Sequence, residues 1–373
     1  MKYKCPNCGG ELSFDPSSGK LKCPYCDSVF ELEEQEKLQT QNKNDAVTLI
    51  DEEAEDQGVQ ADSSEKANDE SEAQDGELVS CLCPNCGAKI VTAKTTASTS
   101  CPYCRTPLVI EEQTSGVFRP KYVIPFELDE KQIAQVYEDY IKTKPFYPEA
   151  YSKKNVIAKI RGVYLPYWLY DLGASGDMVA EGEKTLTRME GKYQVTDHMV
   201  YHVFRQGHMD FWKIPVLAAS NTKEEDMNAL EPYDYKKLNT FNPGYLAGFL
   251  AQRYDQTAEE RSGRCTQRAK KTLSHKLFET MPHYSGIHKI RENLQTQNKI
   301  SDFVMLPVWI LDMKYDKENG EDGLIAINGQ SGKIAGNIPV DNKKMWMYFL
   351  KVLLITFAVV FIVAMAIFMF VDF

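Results

Sequence analysis

Eight of the ten cysteines occur as four C-P-x-C pairs, and these pairs are the residues best suited to chemistry. Two residues between the cysteines let one tight turn direct both sulfur atoms at the same point, and thiolates are favoured ligands of Zn²⁺. Within each set of four, 14 residues separate the two pairs, so two turns can supply four ligands to one tetrahedral ion. The spacing predicts two closed structural zinc sites, one formed by Cys5, Cys8, Cys23 and Cys26 and the other by Cys83, Cys86, Cys101 and Cys104.

The residues around the cysteines fit metal-binding turns. Proline fixes φ at the second position of each turn, and Gly9 and Gly87 follow a second cysteine, where the backbone often needs a positive φ. A module of about 30 residues cannot bury enough apolar surface to fold alone. Metal binding must then supply the folding free energy, on the order of 10 kcal/mol or more.

Other uses of the cysteines fit less well. A redox pair usually lies in a βαβ pattern, and none surrounds these cysteines. Secreted disulfide proteins rarely place four such pairs near one end of the chain. The second set repeats the first with a constant offset of 78 residues, which assigns the ligand to Cys83 and leaves Cys81 outside the site. Cys81 and Cys265 are expected to be plain thiols.

A strongly acidic stretch separates the two cysteine sets. Residues 31–77 contain 17 Asp and Glu against 3 Lys, more negative charge than the net −10 of the whole chain. Its low apolar content predicts a disordered linker over 31–79. The flanking ribbons, predicted over 1–30 and 80–112, each carry a surplus of about one positive charge. This balance disfavours a nucleic-acid partner, because an acidic linker repels phosphate.

The last apolar run has the length of a membrane span. Residues 352–371 carry no charge, and Thr356 is the only polar residue among them. A helix of 20 residues covers about 30 Å, the thickness of the hydrocarbon layer. The sequence predicts a transmembrane helix over 346–371 that acts as a C-terminal tail anchor in the cell membrane. Three lysines precede the run, which places the bulk of the chain in the cytoplasm. No signal peptide is expected at the other end.

Residues 117–340 contain most of the aromatic residues and are predicted to form the main core. The segment Val163-Tyr164-Leu165-Pro166-Tyr167-Trp168-Leu169-Tyr170-Asp171 resembles residues 304–312, at an offset of 141. This repeat predicts a duplicated α+β core with halves at 117–220 and 221–340. The predicted fold is therefore multidomain: two small β zinc ribbons, the duplicated α+β core and one transmembrane helix.

The periodicity within the core predicts particular elements. Helices are expected over 130–142 and 258–281, where apolar residues recur every three or four positions. Antiparallel strands are expected over 178–211, with turns at Glu190-Gly191 and Gln206-Gly207. A hairpin is expected over 323–338, around Asn328-Gly329.

No catalytic arrangement is recognisable. The chain lacks a P-loop, a dinucleotide-binding fingerprint, a nucleophile elbow and an H-E-x-x-H motif. His198 and His202 lie in a strand-like stretch, where their separation of about 13 Å is too large for a shared metal. Asp171 and Asp312 occupy equivalent repeat positions and are either a site or strand ends. We expect no enzyme, no catalytic residues and no cofactor site besides the two zinc ions.

Four features carry a resemblance to a known family. They are the C-P-x-C pairs, the apolar end, the segment Leu165-Pro166-Tyr167-Trp168-Leu169-Tyr170-Asp171 and the stretch Asn242-Pro243-Gly244-Tyr245-Leu246-Ala247-Gly248. The chain resembles bacterial, Firmicutes-type, membrane-anchored zinc-ribbon proteins found beside phage-shock A-like and SPFH proteins in envelope-stress operons. The resemblance implies partners of those two classes. The ribbons also resemble those of transcription factor IIB and primosomal helicases, which implies nucleic-acid binding.

Two functions follow from these observations. The first is a membrane-anchored cytosolic adaptor whose ribbons dock protein partners at the inner membrane. The alternative is a zinc-ribbon nucleic-acid-binding protein of replication or transcription. An enzyme in the duplicated core is the third and least supported hypothesis.

Overall fold

The structure is a computed structural model that describes residues 3–34, 78–82, 89–93, 96–100, 107–110, 118–152, 160–220, 222–313, 323–336 and 338–371. The chain divides into two compact units that interleave along the sequence. The first comprises Met1–Pro125, Tyr164–Lys223 and Asp234–Pro307, and the second comprises Phe126–Val163, Glu224–Tyr233 and Val308–Phe373. Neither unit coincides with a half of the duplicated core, which stays a prediction. Most of the predicted linker and the second cysteine set lie outside the described residues.

The elements are numbered along the chain. The strands are β1 (Ser13–Asp15), β2 (Lys20–Lys22), β3 (Val29–Phe30), β4 (Leu78–Leu82), β5 (Lys89–Ala93), β6 (Thr96–Ser100), β7 (Pro107–Val109), β8 (Tyr122–Val123), β9 (Arg161–Glu190), β10 (Tyr193–Leu217), β11 (Asn239–Thr240), β12 (Leu250–Gln252), β13 (Gly286–Met313), β14 (Gly323–Asn328) and β15 (Ile334–Gly336). The α-helices used below are α1 (Glu130–Lys142), α2 (Glu224–Asn228), α3 (Ala258–Glu279) and α4 (Asn342–Val371).

A large mixed sheet dominates the first unit. Its strands follow the order β11-β8-β13-β9-β12-β6-β7, and β10 pairs with β9 outside this path. Strands β8 and β13 run parallel, whereas β10 is antiparallel to β9 and β7 is antiparallel to β6. The small sheet β1-β2-β3 also belongs to this unit. The main core is therefore richer in strand than the predicted α+β halves.

Strands β9 and β10 form one long hairpin, which we call the arm. Its turn follows Glu190, where Gly191 has a φ of 63°, as the Glu190-Gly191 signal predicts. The predicted turn at Gln206-Gly207 is wrong, because β10 continues through it and Gly207 pairs with Gly176. A Cβ on Gly207 would lie 3.0 Å from Leu277 Cδ2, so the glycine permits close packing of α3 against the strand.

Helix α3 covers one face of the arm, as its apolar periodicity requires. It begins with a capping box in which Thr257 and Glu260 bond each other's backbone N–H groups. The periodic apolar residues Ala269, Leu273 and Leu277 are buried, and Cys265 is fully buried beside them. Burial raises the pKa of the Cys265 thiol to about 12, which agrees with an inert packing role.

The second unit confirms two of the expected local elements. Helix α1 spans the predicted residues and begins with a capping box formed by Asp129 and Gln132. Strands β14 and β15 form the hairpin expected around Asn328-Gly329. The buried Asn328 side chain accepts hydrogen bonds from the N–H groups of Gln330 and Ser331 and fixes the turn.

Helix α4 is 30 residues long, about 45 Å at 1.5 Å per residue. It is long and apolar enough to cross a membrane, and no part of its described apolar window is buried in the protein. It starts four residues before the predicted 346–371 span.

The two copies of the core repeat both lie in long strands, β9 and β13. Asp171 accepts a hydrogen bond of 2.7 Å from the N–H of Lys213. Lys213 lies in a bulge of β10 and has a φ of 57°. Asp171 therefore stabilises an irregular part of β10. The Asp312 side chain lies outside the described set.

The burial of α3 predicts a local stability effect. Leu273→Ala removes a side chain that is 2% exposed and should lower the free energy of unfolding by about 2–5 kcal/mol. The matched change Leu186→Ala, on a side chain that is 55% exposed, should change it by less than about 0.5 kcal/mol. Urea unfolding of the purified chain in detergent measures both, and equal effects would contradict the packing of α3.

Candidate metal centre

Two short turns near the N-terminus hold the first four cysteines. In the first turn, the N–H of Gly9 donates to the carbonyl of Cys5 at 2.8 Å, and in the second the N–H of Asp27 donates to the carbonyl of Cys23 at 3.0 Å. Gly9 and Asp27 follow the second cysteine of their pairs and have φ values of 71° and 57°. The positive φ predicted at Gly9 is confirmed, and the equivalent strain at Asp27 is accepted by a residue type that tolerates it.

The two turns bring the four sulfur atoms together. The Sγ atoms of Cys5, Cys8, Cys23 and Cys26 all lie within 4.8 Å of one another. Two of these separations, Cys5 to Cys26 and Cys8 to Cys23, are 3.5 Å. That distance is far longer than a disulfide bond of about 2.05 Å. The thiols are therefore free, and they surround a common point.

The donor set fits a tetrahedral ion. With a Zn–S distance of about 2.3 Å, the sulfur atoms of a tetrahedral site lie about 3.8 Å apart. Two separations of 3.5 Å and an upper limit of 4.8 Å for the others are compatible with this value. Cys5 and Cys23 are buried and Cys8 and Cys26 are exposed, so the group lies at the surface of the ribbon. Four protein ligands would leave no open coordination position, which suits a structural ion.

Ser28 prepares one of the ligands to bind as a thiolate. The Cys26 thiol donates to the Ser28 hydroxyl at 3.2 Å. As a thiolate, Cys26 would instead accept from this hydroxyl and from the Ser28 N–H, and these hydrogen bonds lower the pKa of Cys26 to about 6. A carboxyl group fixes the same turn, because Asp27 pairs with Lys22 at 3.1 Å. The sequence analysis did not identify Ser28. A hydroxyl residue two positions after a ligating cysteine is nevertheless a pattern that predicts a hydrogen bond to the cysteine sulfur.

The ribbon packs against the core through the stretch 242–249, which we call the docking segment. One buried cluster joins the ribbon to Ala247 of the docking segment. Its members from the ribbon side are Tyr3, Cys5, Leu12, Phe14, Leu21, Cys23 and Leu32. The N–H of Phe14 donates to the carbonyl of Ala247 at 2.9 Å, and the Phe14 and Tyr245 rings meet edge to face at 5.2 Å. The ribbon shares its core with the first unit, a contact that the sequence analysis did not predict.

Glycine makes this contact possible. A Cβ on Gly244 would lie 2.4 Å from Leu32 Cδ2, so the ribbon occupies the space of a side chain. The Asn242 side chain accepts a hydrogen bond from the Gly244 N–H at 2.8 Å and closes the turn. The Asn-Pro-Gly-Tyr-Leu-Ala-Gly motif is thereby explained as the seat of the ribbon.

The cysteines of the second predicted site, Cys83, Cys86, Cys101 and Cys104, lie outside the described residues. The strands beside them are described, and two of the three strand pairings of the first ribbon recur at the offset of 78, whereas β5 and β6 do not pair as β1 and β2 do. Leu82 pairs with Lys89 as Lys4 pairs with Glu11. The Thr99–Leu108 and Ser100–Pro107 pairs correspond to Leu21–Phe30 and Lys22–Val29. Strand β4 begins two residues before the predicted ribbon and carries Cys81 opposite Ile90.

The geometry predicts that the first site holds one metal ion. Cys23→Ser removes a buried ligand and should release one ion per chain. Cys265→Ala removes a thiol in α3 and should leave the metal content unchanged. Elemental analysis of the purified, reduced proteins tests this pair. Equal metal content in Cys23→Ser and the parent chain would contradict the site.

Comparison with known proteins identifies a relative over nearly the whole chain. The sequence is 30% identical over 349 residues to the uncharacterized protein YdjG of Bacillus subtilis (strain 168). The aligned region covers 94% of this chain and 93% of YdjG. No protein-family model and no solved structure matches the chain. The match includes segments on both sides of the acidic stretch, because it extends over almost the full length. This chain therefore belongs to the same family as YdjG.

Proposed function

We propose that this chain is a membrane-anchored, zinc-stabilised adaptor that docks a protein partner at the inner membrane. The proposal rests on the pairing of the arm. Among the described residues, its outer strand β10 pairs on one side only, with β9. Near its turn this hairpin also exposes large apolar side chains. An open strand edge beside apolar side chains is a surface for an extended segment of another protein.

Zinc is the metal that the four thiolates favour. Soft sulfur donors in a closed tetrahedral set are typical of structural zinc. The ion would hold the two turns of the ribbon together and thereby form the surface that covers the docking segment. Its role in this proposal is to complete the fold, and the chain performs no chemistry at the metal.

A second zinc ion is supported by the repeated strand pairing. The registers of β4 with β5 and of β6 with β7 are those that flank the cysteine turns in the first ribbon. Ser98 in β6 is buried, and its hydroxyl donates to the carbonyl of Phe249 at 2.8 Å. Strand β6 also pairs with β12, directly after the docking segment. Both ribbons would then be seated on the same part of the core.

The second site makes a prediction of its own. Cys83→Ser should lower the metal content by one ion per chain, whereas Cys81→Ser should leave it unchanged, because the offset of 78 makes Cys81 equivalent to Tyr3. Elemental analysis of the two variants compares cysteines that are two positions apart in the sequence. Metal loss in Cys81→Ser would show that the register is wrong.

Helix α4 supports the anchor. A uniformly apolar helix without a protein cover is stable in a bilayer, where its backbone groups are satisfied within the helix. Lysines at its start favour a cytoplasmic position for the rest of the chain, and a reducing cytoplasm suits free thiolates. Truncation before Met345 should yield a fragment that no longer sediments with membranes.

The surface chemistry favours protein over nucleic acid. Of the three lysines described in the first ribbon, Lys20 pairs with Glu31 and Lys22 pairs with Asp27, so Lys4 alone has no acidic partner among the described residues. The arm end between residues 181 and 204 mixes acids and bases. It exposes apolar side chains on both faces: Leu186, Met189, Tyr193, Met199, Val200, Tyr201 and Phe204. By the resemblance above, phage-shock A-like and SPFH proteins are the first partner classes to examine.

Two equally exposed tyrosines allow a matched test of the docking surface. Tyr193 at the arm turn is 77% exposed and Tyr25 in the ribbon is 76% exposed. A photoreactive phenylalanine analogue at Tyr193 of the membrane-anchored chain should form one discrete protein adduct. Leu186→Ser, on the same face of the hairpin, should remove that adduct, whereas Thr187→Ala on the opposite face should retain it.

The same experiment separates the alternatives. Protein adducts at Tyr25 and none at Tyr193 would indicate that the partner docks on the ribbons and not on the arm. Nucleic-acid adducts at Tyr25 would favour the replication or transcription hypothesis. An arm adduct that persists in Leu186→Ser would contradict recognition through the apolar face.

A further inference from the structure

A short loop of the second unit is fixed to the first turns of helix α4. The loop comprises residues 144–148, Lys144-Pro145-Phe146-Tyr147-Pro148, and follows α1. The N–H of Asp341 donates to the carbonyl of Phe146 at 2.7 Å. Lys344 Nζ donates to the carbonyl of Tyr147 at 2.9 Å, and the Phe146 and Tyr348 rings are 5.4 Å apart. These contacts attach the loop to the start of α4.

Both sides of this junction are held in place. Asp341 caps α4, since its carboxylate accepts hydrogen bonds from the N–H groups of Lys343 and Lys344. At the other end, Thr143 caps α1 through its hydroxyl, which donates to the carbonyl of Tyr140 at 2.7 Å. The buried Tyr137 hydroxyl donates to the carbonyl of Tyr151 just beyond the loop. The loop is thus a rigid bridge between two helix ends.

The position of the loop along α4 fixes its depth in a bilayer. Tyr348 precedes Val352, the first residue of the uncharged run, by four residues, or about 6 Å of helix. The headgroup layer on one side of a bilayer is roughly 5–8 Å thick. Because the Phe146 ring contacts the Tyr348 ring, it lies at the level of the headgroups whenever α4 spans the membrane.

The composition of the junction suits an anionic lipid surface. Lys144 and Lys343 are exposed, and Lys351 lies one turn beyond Tyr348. Two acids adjoin these lysines: Asp341, whose carboxylate caps α4, and Glu149, which lies 4.0 Å from Lys344. Aromatic rings with polar edges favour the interface between hydrocarbon and water, and lysines there attract anionic headgroups.

We propose that loop 144–148 is a membrane-contacting loop that lies in the headgroup layer beside the anchor helix and binds anionic phospholipid. The inference rests on the proposed membrane anchor. It adds a second contact with the bilayer, which would hold the second unit against the membrane surface. The partner is the lipid surface itself, and a protein cover over the loop is an outcome that the test detects.

Photocrosslinking of the full chain in vesicles of phosphatidylcholine and phosphatidylglycerol tests the inference. The photoreactive phenylalanine analogue replaces Lys144 in the loop, Lys131 near the start of α1 as a matched control, or Phe357 in α4. Lys131 is exposed and lies about 16 Å of helix away from the end of α1. Mass spectrometry then identifies lipid adducts. A reporter at Phe146 provides a second position in the loop.

Lipid adducts are expected at positions 144, 146 and 357 and not at 131, with phosphatidylglycerol above its share in the vesicle. Lys343→Gln with Lys351→Gln should abolish that enrichment. Lipid adducts at 357 without any at 144 or 146, or protein adducts at the loop, would overturn the membrane contact while leaving the anchor intact. Absence of lipid adducts at 357 would overturn the anchor and the inference together.

Discussion

The convergence of four thiolates on one point is the interaction on which the N-terminal part of the structure depends. The ribbon has only a few short strands, and β3 is two residues long. Such strands cannot hold their register through backbone pairing alone. Bound metal would fix the two cysteine turns, and the fixed turns would orient Tyr3, Leu12 and Phe14 toward the docking segment. We therefore propose that metal binding and attachment of the ribbon to the core are coupled.

Because of this coupling, the ribbon is better described as a part of the core than as an independent recognition module. Its apolar side chains are used against the docking segment, where Gly244 leaves room for Leu32. The exposed part of the ribbon is mainly the cysteine turns and paired charges. Among the described residues outside α4, most of the exposed large apolar side chains lie on the arm. These side chains support the proposal of docking at the arm, whereas the described ribbon is part of the core.

Features set by local spacing could be predicted from the sequence, whereas those set by distant contacts could not. The four-cysteine group follows from two turns with fixed geometry, and α1 and α3 follow from their apolar period and caps. The seat of the ribbon joins residues more than 200 positions apart, so no local pattern reveals it. Gly207 was wrongly predicted to lie in a turn. Because it has no side chain, Leu277 can pack closely against it. The sequence alone does not distinguish a glycine in a turn from a glycine that permits close packing.

Hydrogen exchange before and after chelation of the metal tests the coupling most directly. The N–H of Phe14 bonds the docking segment and the N–H of Leu12 bonds Tyr3 within the ribbon, while the amides of α3 report on the core. We predict that chelation of the full chain accelerates exchange at Phe14, Leu12 and Ala247 and leaves α3 protected. Unchanged protection at Phe14 after the metal has been removed would contradict the coupling of metal binding to attachment of the ribbon.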